Sequence, residues 1–156
     1  MRISIPAMIV AAALLTGCGP QDTRSGFVLR GTETSVPADW RFTDEHKEIA
    51  LQVNTPYLIP HAVTIWCAQV DGQLYVGANA PTTKHWPGWV DRDPNVRLRI
   101  GEQIYPVRLV PLDDANVITQ LRAAYAAKYQ LDASGAEGMS DVRYWTVMPR
   151  PQAPAA

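Results

Sequence analysis

Cysteine is scarce in this chain. Its 156 residues include two, Cys18 and Cys67. Cys18 has another task, described below, so Cys67 stands alone. That excludes a disulfide framework and a cysteine-based zinc site. Charge of one sign is also missing: 14 Lys and Arg face 15 Asp and Glu, for a net charge of -1. No basic footprint for nucleic acid exists, and no polybasic anchor. The longest apolar run, Ile3 to Leu15, is broken only by Ser4; it is short of the roughly 20 residues a membrane span needs. His46, His61 and His85 stand far apart with no pair at metal-ligand spacing, so no metal site is expected. His61 follows Pro60 at a loop end and reads as a backbone-bonded loop histidine or as a neutral ligand or base. There is no Gly-x-Ser-x-Gly elbow and no glycine-rich phosphate loop. Asp91 and Asp93 look like cap and turn residues rather than an acid/base pair.

What the chain does have is enough apolar matter for one core. Hydrophobic residues make up 47% and charged residues 19%, which fits one folded domain and argues against disorder. Five Trp against two Phe is an unusual balance and hints at a stacking surface or a large aromatic core.

The first twenty residues have a lone Arg2, then the apolar run, then Leu15-Thr16-Gly17-Cys18. This pattern resembles the bacterial lipobox. The resemblance implies cleavage before Cys18, acylation of its thiol and N-terminus, and stable anchoring by two or three acyl chains. Arg2 has no twin, so export by the general route is expected. The lipid bilayer, reached through Cys18, is then a partner. The location is the cell envelope, on the outer side of the inner membrane. By the same resemblance to Gram-negative lipoproteins, Gly19 in place of Asp implies sorting to the outer membrane if the host has one.

The organisation expected is a leader (1–17), a lipidated tether (18–38), one domain (39–148) and a disordered tail (149–156). Phe27-Val28-Leu29 could form a short edge strand within the tether. Ile49 to Val53 alternates as a strand. Val63 to Val70 and Gln73 to Ala78 flank Asp71-Gly72, a strong hairpin signal because both turn residues accept positive φ. This turn sets Val70 opposite Gln73, Ala68 opposite Tyr75 and Trp66 opposite Gly77. One face then carries Ile65, Cys67, Leu74, Val76 and Ala78, all core material, with Cys67 inert. The other carries Trp66, Ala68, Tyr75, Gly77 and Asn79, and suits a second packing layer or a flat ligand.

Ala80 to Pro94 reads as one or two irregular helical turns. A second hairpin runs from Val96 to Val110 around Gly101-Glu102. Its core face holds Val96, Leu98, Ile100, Tyr105, Val107 and Leu109; its other face holds Arg97, Arg99, Ile104 and Arg108. A helix capped at Asp113-Asp114 runs to about Gln130, and a last strand spans Val142 to Val147. The fold class expected is mainly β with minor α: a six-stranded antiparallel split β-barrel with one amphipathic helix.

Val70-Asp71-Gly72-Gln73-Leu74-Tyr75-Val76, Lys84-His85-Trp86-Pro87-Gly88-Trp89, Asp93-Pro94-Asn95-Val96-Arg97-Leu98-Arg99-Ile100-Gly101 and Tyr105-Pro106-Val107-Arg108 follow one another in the chain. In order and spacing they resemble the split-barrel flavin-binding superfamily. This group includes pyridoxamine-phosphate-oxidase-like proteins and deazaflavin-dependent nitroreductases. The resemblance implies a cofactor, FMN or a deazaflavin, along the hairpin end and the segment after it. Asn79 and Ala80 would offer backbone groups. Lys84, His85, Trp86 and Trp89 would line the site. Arg97, Arg99 or Arg108 would meet a phosphate; alternatively these arginines form a solvated outer face. Trp86 and Trp89 either stack on a flat ring or plug one barrel end. Where the nitroreductase-like members hold phosphate on a basic loop, this chain reads Asn54-Thr55-Pro56-Tyr57-Leu58-Ile59-Pro60-His61, with no Arg, Lys, Ser or Gly. Split barrels often dimerise through their sheets, so a homodimer is open.

Two functions follow. One is an anchored lipoprotein that binds a flat cofactor for redox or carrier work. The alternative is a non-catalytic envelope lipoprotein that kept the fold and serves as a binding or assembly module.

Overall fold

The computed structural model describes residues 26–132 and 138–151. The lipobox and Cys18 lie outside them. Seven strands form one sheet: β1 (Thr32–Glu33), β2 (Glu48–Val53), β3 (His61–Val70), β4 (Gln73–Asn79), β5 (Asn95–Ile100), β6 (Gln103–Pro111) and β7 (Val142–Pro149). Helix α1 spans Trp86–Arg92 and α2 spans Ala115–Tyr129. The strands run β6-β5-β2-β3-β4-β7, and β7 returns to β6, so six antiparallel strands close into a barrel.

Local chemistry sets this architecture. Asp71 (φ 52°) and Gly72 (φ 81°) both take the left-handed conformation that a two-residue hairpin turn requires. The β3–β4 register pairs Val70 with Gln73 and Ala68 with Tyr75, as the turn predicts. The inward face of that hairpin joins the barrel core: Ile65, Cys67, Leu74, Val76 and Ala78 pack with Val96, Leu98, Ile100, Tyr105, Val107 and Leu109 of the second hairpin. Each large aliphatic side chain buried there contributes about 1.5–3 kcal/mol by leaving water. The Asp114 carboxylate caps α2, accepting from the Asn116 and Val117 N–H groups at 2.9 and 3.1 Å. Leu121 and Tyr125 of α2 pack on Ala68, Tyr75 and Tyr144, outside the barrel wall.

Two segments depart from expectation. The stretch read as tether is part of the fold from Gly26 onward. Gly26 bridges to Ala62, and the chain then crosses the outer face of the sheet instead of forming a strand at Phe27–Leu29. Leu29 is buried against Ala50, Ala62 and Ile104, and its N–H donates to the Gln52 side-chain oxygen at 2.7 Å. β1 then pairs parallel with Gln103–Ile104. The physical reason is an open edge: β7 pairs β6 only from Val107 onward, so β1 covers the rest. At the other end, β7 continues to Pro149, and Arg150 donates to the Val96 and Val107 carbonyls at 2.7 and 3.3 Å.

Candidate functional site

A cleft of about 940 Å³ opens on the outer face of the barrel, within the size range of cofactor and ligand sites. β3 supplies His61, Val63, Thr64 and Trp66 to it; β4 supplies Gly77 and Asn79; α1 and the turn before it supply Lys84, His85, Trp86 and Trp89. Tyr125, Leu131, Met139, Val142 and Tyr144 close the far side. The cleft takes in the Trp66/Gly77/Asn79 face of the first hairpin and, where the barrel end opens, the core residues Ile65, Ala78 and Trp86. α2 covers the Ala68/Tyr75 part of that face, so the face provides both a packing layer and a cleft wall.

Aromatic rings define the walls. Trp66 stacks on Tyr129 with centroids 4.2 Å apart and planes 7° apart. The Tyr129 hydroxyl fixes that pair: it donates to the Lys47 carbonyl at 2.6 Å and accepts from the Cys67 N–H at 3.0 Å. Burial pushes its pKa well above the ordinary value. Trp89 is half-buried between two histidines, edge-on to His61 at 5.3 Å and stacked on His85 at 5.9 Å. Trp86 turns inward to the barrel core and meets Trp145 at 5.0 Å. Both tryptophans border the cleft, but they differ in burial: Trp86 is seated in the core at the barrel end, and Trp89 is half-buried and packs against that core from outside.

The floor is narrow because Gly77 lies opposite Tyr144 in the β4–β7 ladder. A Cβ on Gly77 would come within 3.0 Å of both the Tyr144 ring and Val142. The Tyr144 hydroxyl is buried and makes no hydrogen bond of good geometry. Burial raises its pKa, and neighbouring Arg122 draws it partly back.

The remaining expected site residues are placed as follows. Lys84 is exposed, and its ammonium donates to the Asn79 carbonyl. Ala80 takes a left-handed backbone (φ 45°), and its backbone groups are already used: its N–H donates to Asp141 O at 2.9 Å and its carbonyl accepts from Thr83. They are not free for a cofactor. Arg97 and Arg99 lie away from the cleft, on the face crossed by the N-terminal segment. Arg97 pairs with Glu33 at 3.4 Å, and Arg99 reaches the Arg30 carbonyl at 3.5 Å. Sheet alternation puts them on the outer face, and the chain from Gly26 to Thr34, which the sequence gives as a tether, occupies it. Cys67 is fully buried in the core. Burial pushes its thiol pKa up, partly offset by Lys128, whose ammonium lies 3.5 Å from Sγ.

Asp91 forms a two-pronged pair with Arg143 at 2.7 and 2.8 Å. Asp93 accepts from Asn54 at 2.7 Å and from the Asn95 N–H at 3.0 Å. Asp93 is the turn residue expected, at the C-cap of α1, whereas Asp91 lies inside α1 and is an ion-pair partner rather than a cap. Among the described residues, no group of three His, Cys, Asp or Glu could hold a metal, and no helix is long and apolar enough to cross a membrane.

Tyr144, Val142 and Met139 escape a linear reading. Their place in the cleft depends on β7 pairing with β4, more than sixty residues earlier in the chain. Tyr125 is visible in the sequence only as a core position of α2.

Several solved structures share the fold. The conserved hypothetical protein Rv2991 from Mycobacterium tuberculosis aligns with a TM-score of 0.58 at 14% identity, covering 70% of this chain and 77% of that one. HutZ, the heme storage protein from Vibrio cholerae, aligns at 0.56 and 13%, covering 71% and 87%. An F420-H2 dependent reductase aligns at 0.52 and 13%, covering 65% and 94%. These likenesses establish the split-barrel fold. No curated protein sequence matches the chain. Residues 42–147 match the family described as an uncharacterized protein conserved in bacteria, DUF2255. They take in barrel strands β2 to β6, both helices and β7 as far as Val147; the chain belongs to the DUF2255 family.

Proposed function

We propose that this protein is a lipid-anchored envelope protein whose cleft binds a flat, mainly apolar ring system of cofactor size. The observation that carries this reading is the cleft itself: about 940 Å³, bounded by Trp66, which Tyr129 backs by stacking, and by Trp89 between His61 and His85. Offset and edge-on contacts of this kind suit a planar ring. The walls fit the ring of a flavin, a deazaflavin or a similar cofactor. They do not fit a di-anionic phosphate tail, which needs several donors or cations. Lys84 is the one lysine or arginine among the lining residues, and its ammonium already holds the Asn79 carbonyl. The preferred ligand therefore carries at most one anionic group near Lys84. The similarity of two neighbours described as a heme storage protein and an F420-H2 dependent reductase supports a flat ligand on this fold. The anchor rests on Leu15-Thr16-Gly17-Cys18.

Titration of the protein with haem, riboflavin (the flavin ring without the phosphate of FMN) and a phosphate-free deazaflavin, followed by tryptophan quenching and melting temperature, tests the cleft. Saturable micromolar binding of one of them raises the melting temperature by mass action. Trp89→Ala is expected to weaken that binding at least tenfold while the domain stays folded; unchanged affinity removes Trp89 from the site. No response to any of the three points to the alternative, a cofactor-free binding or assembly module. Cys18→Ala is expected to move the protein from membrane to soluble fractions, and continued sedimentation with lipid defeats the anchor.

A further inference from the structure

The loop between β2 and β3 exposes three consecutive apolar residues. Leu58 is 95% exposed, Tyr57 74% and Ile59 56%. Folding gains almost nothing from them, yet Leu58 is held in the left-handed conformation at φ 62°, which is unfavourable for a non-glycine residue. The loop bonds to itself. Thr55 Oγ1 donates to the Ile59 carbonyl at 2.7 Å and accepts from the Tyr57 N–H at 3.2 Å; the Leu58 N–H donates to Thr55 O at 3.3 Å. Pro56 and Pro60 have no N–H to satisfy. From Asn54 to Pro60 the loop has no charged side chain. It is therefore an uncharged apolar tip in which the Tyr57 and Leu58 N–H groups and the Thr55 and Ile59 carbonyls are bonded within the loop, which lowers the cost of leaving water.

The position of the tip identifies its occupant. Gly26 pairs with Ala62, two residues beyond Pro60, and exposed Phe27 and Val28 follow. The chain from Cys18 thus enters the fold at the same barrel end as the tip. Eight residues reach no farther than roughly 30 Å. The Asp71-Gly72 turn lies at the opposite end of β3. We infer that Tyr57-Leu58-Ile59, flanked by Phe27 and Val28, seats in the interfacial layer of the bilayer that holds acylated Cys18. This orientation rests on the lipid-anchor reading above. Tyr at such a tip suits the headgroup level, and Leu and Ile suit the acyl boundary. The two charged residues of the small groove beside Leu58, Arg92 and Asp93, are opposite in sign, so the contact is apolar and insensitive to salt.

The test uses the full acylated chain in vesicles of phosphatidylethanolamine and phosphatidylglycerol (three to one) containing a shallow lipid-borne quencher. A bimane label is placed at Leu58→Cys and, as a control, at Asp71→Cys. Buried Cys67 and acylated Cys18 are protected from labelling. Quenching at position 58 is expected to exceed that at position 71 at least threefold, at low and high salt alike. Equal quenching in protein that floats with the vesicles overturns the tip contact and leaves the anchor standing. Should Cys18→Ala remain with cell membranes, the anchor falls instead. The same two labels on the unacylated chain then decide: an unquenched position 58 overturns the contact as well. A concentration-dependent shift of the position 58 label without vesicles would assign the tip to a second copy of the chain and also overturn the proposal.

Discussion

At Gly77 the absence of a side chain decides how the cleft floor is built. The Tyr144 ring and Val142 lie close against its backbone, and Tyr144 is itself packed against Tyr125 at 5.9 Å. A methyl group there has no flexible neighbour to push aside. Gly77→Ala is expected to destabilise the domain by about 1–3 kcal/mol, the usual cost of overpacking, and to narrow the cleft; urea denaturation and ligand affinity measure the two effects. An unchanged urea midpoint would mean that Tyr144 swings aside freely. Cys67 shows the complementary case. Its neighbour Lys128 does not make it a reactive thiol, because burial raises its pKa more than the ammonium lowers it. Lys128 instead bonds the Thr43 and Cys67 carbonyls at 2.8 and 2.9 Å, tying α2 to the barrel.

Helix α1 is short, seven residues, and two attachments hold it over the cleft. Trp86 and Val90 sink into the core, and Asp91 meets Arg143 of β7 through two hydrogen bonds. The Arg143 hydrogen bond is the largest influence on the Asp91 carboxyl and holds it below its ordinary pKa; partial burial works against it. A carboxyl depressed in the folded state stabilises the fold above its unfolded pKa of about 3.9, and that contribution is lost as pH falls through the folded value. Both partners are roughly two-fifths exposed, so solvent screening limits the pair to about 1 kcal/mol or less. Arg143→Met is expected to lower the urea midpoint at pH 7 and to leave it near wild type at pH 2.5. A gap of equal size at both pH values would assign the loss to Arg143 packing over the Trp145 ring, 4.8 Å away.

For the molecule as a whole, the barrel is closed by a contact that local sequence does not announce. β6 meets β7 along one part of its edge and β1 along the other. The segment from Gly26 to Thr34 therefore belongs to the domain. A chain beginning at Asp39 is expected to melt at least 5 °C below one beginning at Gly26, since burial of Leu29 alone contributes about 1.5–3 kcal/mol. Equal melting would show that the segment rests on the sheet without supporting it. Its path also explains the fate of Arg97 and Arg99. Alternation places them on the outer face, where they meet this segment through Glu33 and the Arg30 carbonyl.

The sequence by itself determined the elements and their inward faces. Asp71-Gly72 and Gly101-Glu102 carry turn chemistry, alternation separates Cys67 and Leu74 from Trp66 and Tyr75, and Asp114 caps α2. These features are local, with periods of two or 3.6 residues, so they can be read along the chain. Of the candidate site, Asn79, Lys84, His85, Trp86 and Trp89 were legible in one stretch, and the structure brings them to one cleft. Tertiary structure alone decided the far wall, Met139, Val142 and Tyr144, because β7 pairs with β4 across a long sequence gap. It also decided that Trp86 is seated in the barrel core while Trp89 stays half-buried at the cleft, and where the chain before Trp40 lies. Those outcomes depend on which edges remain unpaired and which surfaces need cover once the barrel closes, and no local pattern encodes that.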